Sequence, residues 1–313
     1  MRWVILTDDY PPAPGGIATW TRWAATTLAT RHAVDVYCRA RPGLVSRDGL
    51  AIHPVRARSF ARRGPVALAW AARGALRDAD GVLCTTWPVA RVVRRWRPVH
   101  VVGHGGDLVR PRRPALLERV WPGCAHRWVV SEHLRSVAVS RGLDARVLPV
   151  PVVAEAPAGQ GSRWVFVARA LHGKGGDTFL RWVQEAGATG DVVGDGPALA
   201  SWRRQAERHG LDVRFHGTRT RAEVATVLER ARAVFLPSRR TLSEGLGLTL
   251  LEARSRGIRV VTTGHGGTRE AAGRDGLVVP ATTHGAVVRD RLATLPPPVW
   301  TDPRPAFLQA LGA

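Results

Sequence analysis

Short runs of β-branched and aliphatic residues alternate along this chain with longer stretches whose apolar residues recur at helical spacing. In the first half the runs are WVILT (3–7), AVDVYC (33–38), LAIHPV (50–55), GVLCTT (81–86), VHVVGHG (99–105), RWVVS (127–131) and ARVLPV (145–150). Amphipathic patterns such as GIATWTRWAATTLATRH and SEHLRSVAVSRG lie between most of them. Strands alternating with helices predict βαβ units and parallel sheets covered on both faces. The segment EAPAGQGS has neither period and reads as a linker. The alternation then restarts with WVFVAR, GDVVGD, DVRFHG, AVFLPS, RVVTT and GLVVP. A proline-rich break, LPPPVWTDPRP, precedes a last helical piece, AFLQAL. The fold class this pattern predicts is α/β, with two doubly wound, Rossmann-like parallel-sheet domains facing a cleft. The expected bounds are 1–155 for the first domain, 156–162 for the linker and 163–285 for the second. Residues 286–313 are expected to form a tail that crosses back to the first domain. In such sheets ligands bind beyond the carboxyl ends of the strands.

Length agrees with this division, since 313 residues suit two domains of about 150 each. No apolar run approaches the ~18–20 residues that a membrane span needs. The start, MRWVILTDDYPP, turns polar at Asp8 and Asp9 and reads as a buried strand rather than a secretory signal. Three cysteines, Cys38, Cys84 and Cys124, show no CxxC spacing. They point to a reducing cytoplasm rather than to zinc or a disulfide framework. The net charge of +21 draws anionic partners. The basic clusters RVVRRWR and RPRR and eight of the twelve tryptophans fall in the first half. Arginine beside tryptophan suits an anionic membrane surface, and an Arg-rich solvated surface is the plainer reading.

Of the 46 Lys and Arg residues only Lys174 is lysine. Arginine replaces lysine freely except where a compact ammonium must meet a phosphate. Lys174 lies in VARALHGKGG, five residues after Arg169. It is no Walker lysine, because Ala168 and Gly175 stand where that motif needs Gly and Ser/Thr. The segment LPSRRTLSEGLGLTLLEARSRG sets Glu244 and Glu252 eight residues apart around Gly245 and Gly247. A fully helical path would separate them by about 12 Å, the reach from a hexose across a diphosphate to a ribose. The glycines and the helix start they open offer backbone N–H groups to phosphate.

The second half resembles the GT-B glycosyltransferases of the retaining, family-4 kind. The resemblance rests on VARALHGKGG, VVGDGP, VRFHGTRTRAEV, AVFLPSRRTLSEGLGLTLLEARSRGIRVV and GHGGTREAAGRDGLVVP, roughly residues 163–280. It implies that Glu244 contacts the donor sugar, that Glu252 binds the ribose, and that Arg169 and Lys174 hold the diphosphate. It also implies that Gly245, Leu246, Gly247 and Leu248 touch the phosphates and sugar, and that Gly217 and Thr218 lie near the base. Ala168 departs from the family's usual glycine. In the first half TDDYPPAPGGIATW and VVGHGGD match more loosely. The loop ending in Gly15–Gly16 looks like that of actinobacterial phosphatidylinositol mannosyltransferases, with Gly16 on the donor side. His104 matches a family histidine near the reacting sugar.

The expectation is therefore an enzyme that transfers a hexose, mannose favoured, from a GDP- or UDP-sugar to an acceptor hydroxyl with retention of configuration. The acceptors in view are a membrane lipid or a cell-envelope glycan precursor, reached from the cytoplasm or the inner face of the plasma membrane. Arg169 and Lys174 would meet the leaving charge with no obligatory metal and no cofactor. Asp78-Ala79-Asp80 precedes its strand and reads as a turn rather than a metal-binding DxD motif, and the histidines show no HExxH pattern. The alternatives are a UDP-sugar transferase with a soluble acceptor and a degenerate domain that binds sugar nucleotide without transfer. A nucleic-acid-binding protein would match the charge but leave the glycine loops and paired glutamates unexplained.

Overall fold

The computed structural model describes residues 1–57, 60–154, 156–159, 161–240 and 244–313, and the backbone alone at 61 and 62. Glu155, Gln160 of the expected linker, and Thr241, Leu242 and Ser243 of the glutamate segment lie outside the described residues. The chain divides into two compact units, Met1–Val153 together with Asp302–Ala313, and Ala154–Thr301.

The first unit is built on seven strands: β1 (Arg2–Thr7), β2 (Ala33–Arg39), β3 (Leu50–Val55), β4 (Gly81–Cys84), β5 (His100–Gly103), β6 (His126–Val129) and β7 (Arg146–Val147). All pair in parallel in the order β3-β2-β1-β4-β5-β6-β7. Trp3, Val4, Ile5 and Leu6 of β1 are all buried. Such continuous burial is what a central strand covered on both faces requires. The helix Gly16–Ala29 buries Trp20 and Trp23. The C-terminal helix Arg304–Leu311 packs in the same unit, with Phe307 6.3 Å from Trp20 between ring centroids.

The second unit has six parallel strands: β8 (Arg163–Val167), β9 (Gly190–Val193), β10 (Val213–Gly217), β11 (Ala231–Leu236), β12 (Arg259–Thr262) and β13 (Leu277–Val278). Their order is β10-β9-β8-β11-β12-β13. The helix Gly176–Ala186 drives Phe179, Leu180, Trp182 and Val183 into this core, each contributing about 1.5–3 kcal/mol of apolar burial.

The structure moves two expected boundaries. The 285/286 division falls inside the helix Gly285–Thr294. That helix belongs to the second unit, where Gly285 N–H donates to Glu185 Oε2 at 2.6 Å. The expected linker also lies partly on the second unit, since Ala158 N–H donates to the Arg256 carbonyl at 2.9 Å. A Cβ at Gly161 would stand 2.1 Å from the Arg230 carbonyl oxygen, so glycine there permits close packing.

Candidate active site

In each sheet the chain leaves a central pair of strands in opposite directions, which opens a crevice at their carboxyl ends. In the second unit that pair is β8 and β11. The loop after β8 carries Arg169 and then the short 3-10 turn His172–Lys174. The loop after β11 runs from Pro237 to Gly247, with 241–243 undescribed. Arg239 N–H donates to the Gly173 carbonyl at 2.8 Å and ties the two loops together. Gly175 has φ +77°, and a Cβ there would stand 2.0 Å from the Pro237 carbonyl oxygen. Gly176 lies against the Trp202 ring. The glycines that follow Lys174 thus let the loop approach its neighbours closely.

Lys174 Nζ donates to the Glu244 carboxylate, which also accepts from Ser238 Oγ at 3.2 Å. Ser238 is fully buried, and its carbonyl accepts from Thr263 Oγ1. From the other side Gly267 N–H donates to the Glu244 carbonyl at 3.1 Å. Side chains at Gly266 and Gly267 would strike the carbonyl oxygens of Glu244 and Gly245, at 2.3 and 2.2 Å. The GHGG stretch is therefore the seat of the Glu244 loop.

The helix Leu248–Ser255 begins only after Gly247, whose φ is +89°. Gly245–Leu246–Gly247 form a non-helical turn, so the ~12 Å figure for eight helical residues does not apply. Thr249 Oγ1 donates to the Val167 carbonyl at 3.2 Å and holds the first helical turn to the end of β8. Glu252 lies in the same helix and pairs with Arg221, Nη2 to Oε1 3.1 Å. Arg221 is set by a capping box in which Thr220 Oγ1 accepts from Glu223 N–H and Glu223 accepts from Thr220 N–H. Gly217 closes β10 with φ +67° and accepts from Gly194 N–H at 2.8 Å, and Thr218 is exposed beyond it. Arg169 is exposed and makes no ion pair or hydrogen bond through its side chain with a described residue.

Gly16 and His104 belong to the first unit. Gly16 opens the helix Gly16–Ala29 after Gly15, whose φ is +123°. His104 follows β5, and its ring stands edge-on to Trp20 with centroids 4.7 Å apart. Burial pulls its pKa down to about 3, so the imidazole is neutral across the physiological range. Asp107 Oδ1 accepts from the backbone N–H groups of His104 and Gly105 at 3.1 and 2.8 Å, and so fixes the loop carrying the imidazole. Asp80 accepts from Arg2 N–H at 2.6 Å as part of the turn into β4. Among the described residues no group of three His, Cys, Asp or Glu is placed to hold a metal ion. Cys38, Cys84 and Cys124 are buried free thiols.

Residues 161–294 match the family model described as Glycosyl transferases group 1. The matched residues all fall in the second unit. No curated protein sequence matches the chain significantly. Solved structures with similar architecture include HepE of Anabaena in complex with UDP and glucose, at 17% identity, 94% of this chain, 89% of that chain and TM-score 0.73. AviGT4, a glycosyltransferase involved in avilamycin A biosynthesis, aligns at 20% identity over 99% of this chain and 92% of that one, with TM-score 0.72. WaaG, a glycosyltransferase involved in lipopolysaccharide biosynthesis, aligns at 18% over 93% and 90%, with TM-score 0.67. The fold of the two parallel-sheet units is GT-B.

In each unit residues that spacing alone did not single out position these groups. Arg221 and the Gly266–Gly267 pair act through contacts between segments far apart in the chain, whereas Asp107 and Ser238 act within their own loops. Only Arg221 had a local signal, the TRAE capping box that starts its helix.

Proposed function

We propose that the chain is a retaining, metal-independent glycosyltransferase that moves a hexose, mannose favoured, from a nucleotide-diphosphate sugar to an acceptor hydroxyl. The observation that carries this reading is the Lys174–Glu244 ion pair at the switch point of the group 1 domain. A diphosphate brings an anion for Lys174, and the sugar brings a hydroxyl donor for Glu244. The substrate thus replaces one charge-assisted bond with two. Arg169, exposed and unengaged by described residues, supplies a second cation for the leaving charge. Glu252, held by Arg221, accepts from the ribose hydroxyls. The backbone of Gly245–Leu248 approaches the phosphates and sugar, and Gly217–Thr218 the base. The HepE complexes with UDP and with UDP-glucose support the donor class. The acceptor is attacked on the face the nucleotide leaves, and the departing phosphate oxygen helps to remove its proton. Catalysis rests on positioning and electrostatics.

A membrane lipid or cell-envelope glycan precursor is the acceptor favoured here. Between residues 49 and 117 thirteen arginines stand against three acids. In this region Trp70 and Trp96 are 58% and 53% exposed, and the Arg73 guanidinium lies 4.0 Å from the Trp70 ring centroid. Such a surface suits anionic headgroups at the inner face of the plasma membrane. No described helix is long and apolar enough to cross a membrane. A UDP-sugar transferase with a soluble acceptor is the second reading, supported by the UDP bound in HepE.

The test is a melting-temperature panel with UDP, GDP, UDP-glucose and GDP-mannose. A ligand at 100 times its Kd stabilises the native state by about 2.7 kcal/mol. One base should raise the melting temperature, with transfer persisting in EDTA. A protein that none of the four stabilises is not a nucleotide-sugar transferase. Sedimentation with anionic liposomes separates the two acceptor readings, since a soluble-acceptor enzyme stays in the supernatant.

A further inference from the structure

The two halves of the Lys174–Glu244 pair meet at one dipeptide, Ser238–Arg239, just beyond the end of β11. Ser238 Oγ donates to Glu244 Oε2 at 3.2 Å, and the Ser238 carbonyl accepts from Thr263 Oγ1. The adjoining Arg239 serves the other loop. Its backbone N–H donates to the Gly173 carbonyl at 2.8 Å, and its guanidinium pairs with the Asp177 carboxylate. Lys174 lies between those two points of attachment.

Asp177 is the fixed end of this arrangement. It stands in the first turn of the helix Gly176–Ala186, whose Phe179, Trp182 and Val183 are buried in the core of the second unit. Gln205 Nε2 of the helix Leu199–Arg208 donates to the Asp177 carbonyl at 3.3 Å, and Gly176 lies against the Trp202 ring of the same helix. Two helices thus set where the carboxylate stands. From there an ion pair reaches Arg239, a hydrogen bond from Arg239 reaches Gly173, and the chain returns through Lys174 to Asp177. One short chain segment, one hydrogen bond and one ion pair close a ring that contains Lys174. Gly175 in this ring has φ +77°, and a segment that turns through glycine needs such contacts to keep one shape.

Charge alone would make Arg239 a ligand for the donor diphosphate. The geometry commits it elsewhere, since its guanidinium is joined to a carboxylate while that of Arg169 makes no ion pair with a described residue. The Arg239 and Asp177 side chains are 45% and 37% exposed, so their pair contributes little to global stability. Its effect is local, on where Lys174 stands against Glu244. We infer that Arg239 and Asp177 are positioning residues for transfer, which together with Ser238 hold the loops of Lys174 and Glu244 in one relative placement. The effect on transfer rests on the proposed function; the placement of the loops does not. A misplacement of about 1 Å can cost about a hundredfold in rate, so a modest contact away from the reacting atoms suffices.

Two readouts keep the inference separate from the donor reading. The first is NMR-detected hydrogen exchange in the nucleotide-free full chain. The Arg239 amide, bonded to Gly173, should exchange about fivefold faster in Asp177→Ala than in the wild type, the scale set by an exposed ion pair. The Trp164 amide of β8, which donates to the Thr189 carbonyl, should be unchanged. The second is transfer from a nucleotide-sugar donor. Asp177→Ala and Arg239→Gln should each lower kcat about tenfold while moving the melting temperature little, and the double variant should be no slower than the slower single. Unchanged exchange at Arg239, or an equal rise at Trp164, would overturn the inference whether or not the chain binds nucleotides. Transfer unchanged in both single variants would overturn it too. So would loss in Arg239→Gln alone, because Arg239 would then contact the donor itself, or a double variant whose loss is the product of the two singles.

Discussion

Replacing Asp8 by asparagine offers a stability test that needs no substrate. Burial first, and then the charge of Asp9, push the Asp8 carboxyl from 3.8 up to about 6, while Arg39 pulls the other way. A shift of roughly two units at 1.36 kcal/mol each means that ionised Asp8 costs the fold about 3 kcal/mol at pH 7. The direction follows from proton binding. The folded protein keeps the Asp8 proton to a higher pH than the unfolded chain does. Below about pH 4 both states carry it and the residue costs little. Between about 4 and 6 the unfolded chain releases it first, so stability falls as pH rises, and above 6 the full cost stands. Asparagine keeps the shape and has no charge to bury.

Asp8→Asn should therefore be more stable than the wild type by about 2–3 kcal/mol at pH 7, with the gap shrinking below about 1 kcal/mol at pH 4. Urea unfolding at pH 4, 5, 6 and 7 measures this directly. In a unit of this size the gap at pH 7 corresponds to roughly 4–12 °C in melting temperature. A gap that stays constant from pH 4 to 7, or an Asn variant less stable at pH 7, would refute the reasoning. Asp8 would then be solvated or paired.

Lys174→Ala should nearly abolish transfer and lower stability, because it leaves the Glu244 carboxylate, 11% exposed, facing Ser238 without its cation. Adding Glu244→Gln to it should restore much of the stability and none of the turnover, as read by urea unfolding beside a transfer assay. Arg221→Ala should raise the donor KM more than it lowers kcat, since Arg221 orients Glu252 toward the ribose; an unchanged KM would remove it from the donor site. Gly175→Ala should lower the melting temperature by several degrees, because its Cβ would meet the Pro237 carbonyl oxygen at 2.0 Å on a backbone with φ +77°. Gly210→Ala, at φ +56° with nothing within 4 Å, should cost less.

Most of the described strands were legible because strands buried on both faces leave continuous apolar runs, as WVILT and WVFVAR do. The loops that carry Arg169, Lys174 and Glu244 were legible for a similar reason, since each follows such a run. Helix starts within the functional loops were not. The pair Gly245 and Gly247 fitted a helix entrance, but only the structure puts that entrance after Gly247 with φ +89°. The seat of Glu244 on Gly266–Gly267 depends on backbone approach in three dimensions. Asp8 passed for a strand terminator because an aspartate after an apolar run ordinarily meets water. Its buried Oδ1 depends on what packs around it, which the run does not encode.

One repeat in the sequence ties the two sheets together. Arg2-Trp3-Val4 opens β1 and Arg163-Trp164-Val165 opens β8. In the first unit Arg2 Nε donates to Asp35 Oδ2 at 2.7 Å, and His53 Nε2 lies 2.6 Å from Asp35 Oδ1. In the second, Arg163 Nε donates to Asp191 Oδ2 at 2.7 Å, and His216 Nε2 lies 2.7 Å from Asp191 Oδ1. The registers coincide as well, since each aspartate pairs with the residue two beyond the arginine, Val4 with Asp35 and Val165 with Asp191. Burial pushes the Asp35 carboxyl up, but the bonds from Arg2 and His53 outweigh it and hold the carboxyl below its ordinary value. The node therefore sits as a charged clamp across three strands in each unit, toward the amino end of the central strand and away from the carboxyl edge where the ligand groups lie. The clamps differ in exposure: Arg2 is 43% exposed, whereas Arg163 is 11% and Asp191 4%. Removing one partner of a buried pair costs about 3–5 kcal/mol, and an exposed pair contributes about 1 kcal/mol or less. Asp191→Asn should thus destabilise the protein clearly more than Asp35→Asn in urea unfolding, with nucleotide affinity unchanged in both. Equal losses, or a shift in that affinity, would mean that the clamps are not scaffold elements alone and that one of them reaches a ligand site.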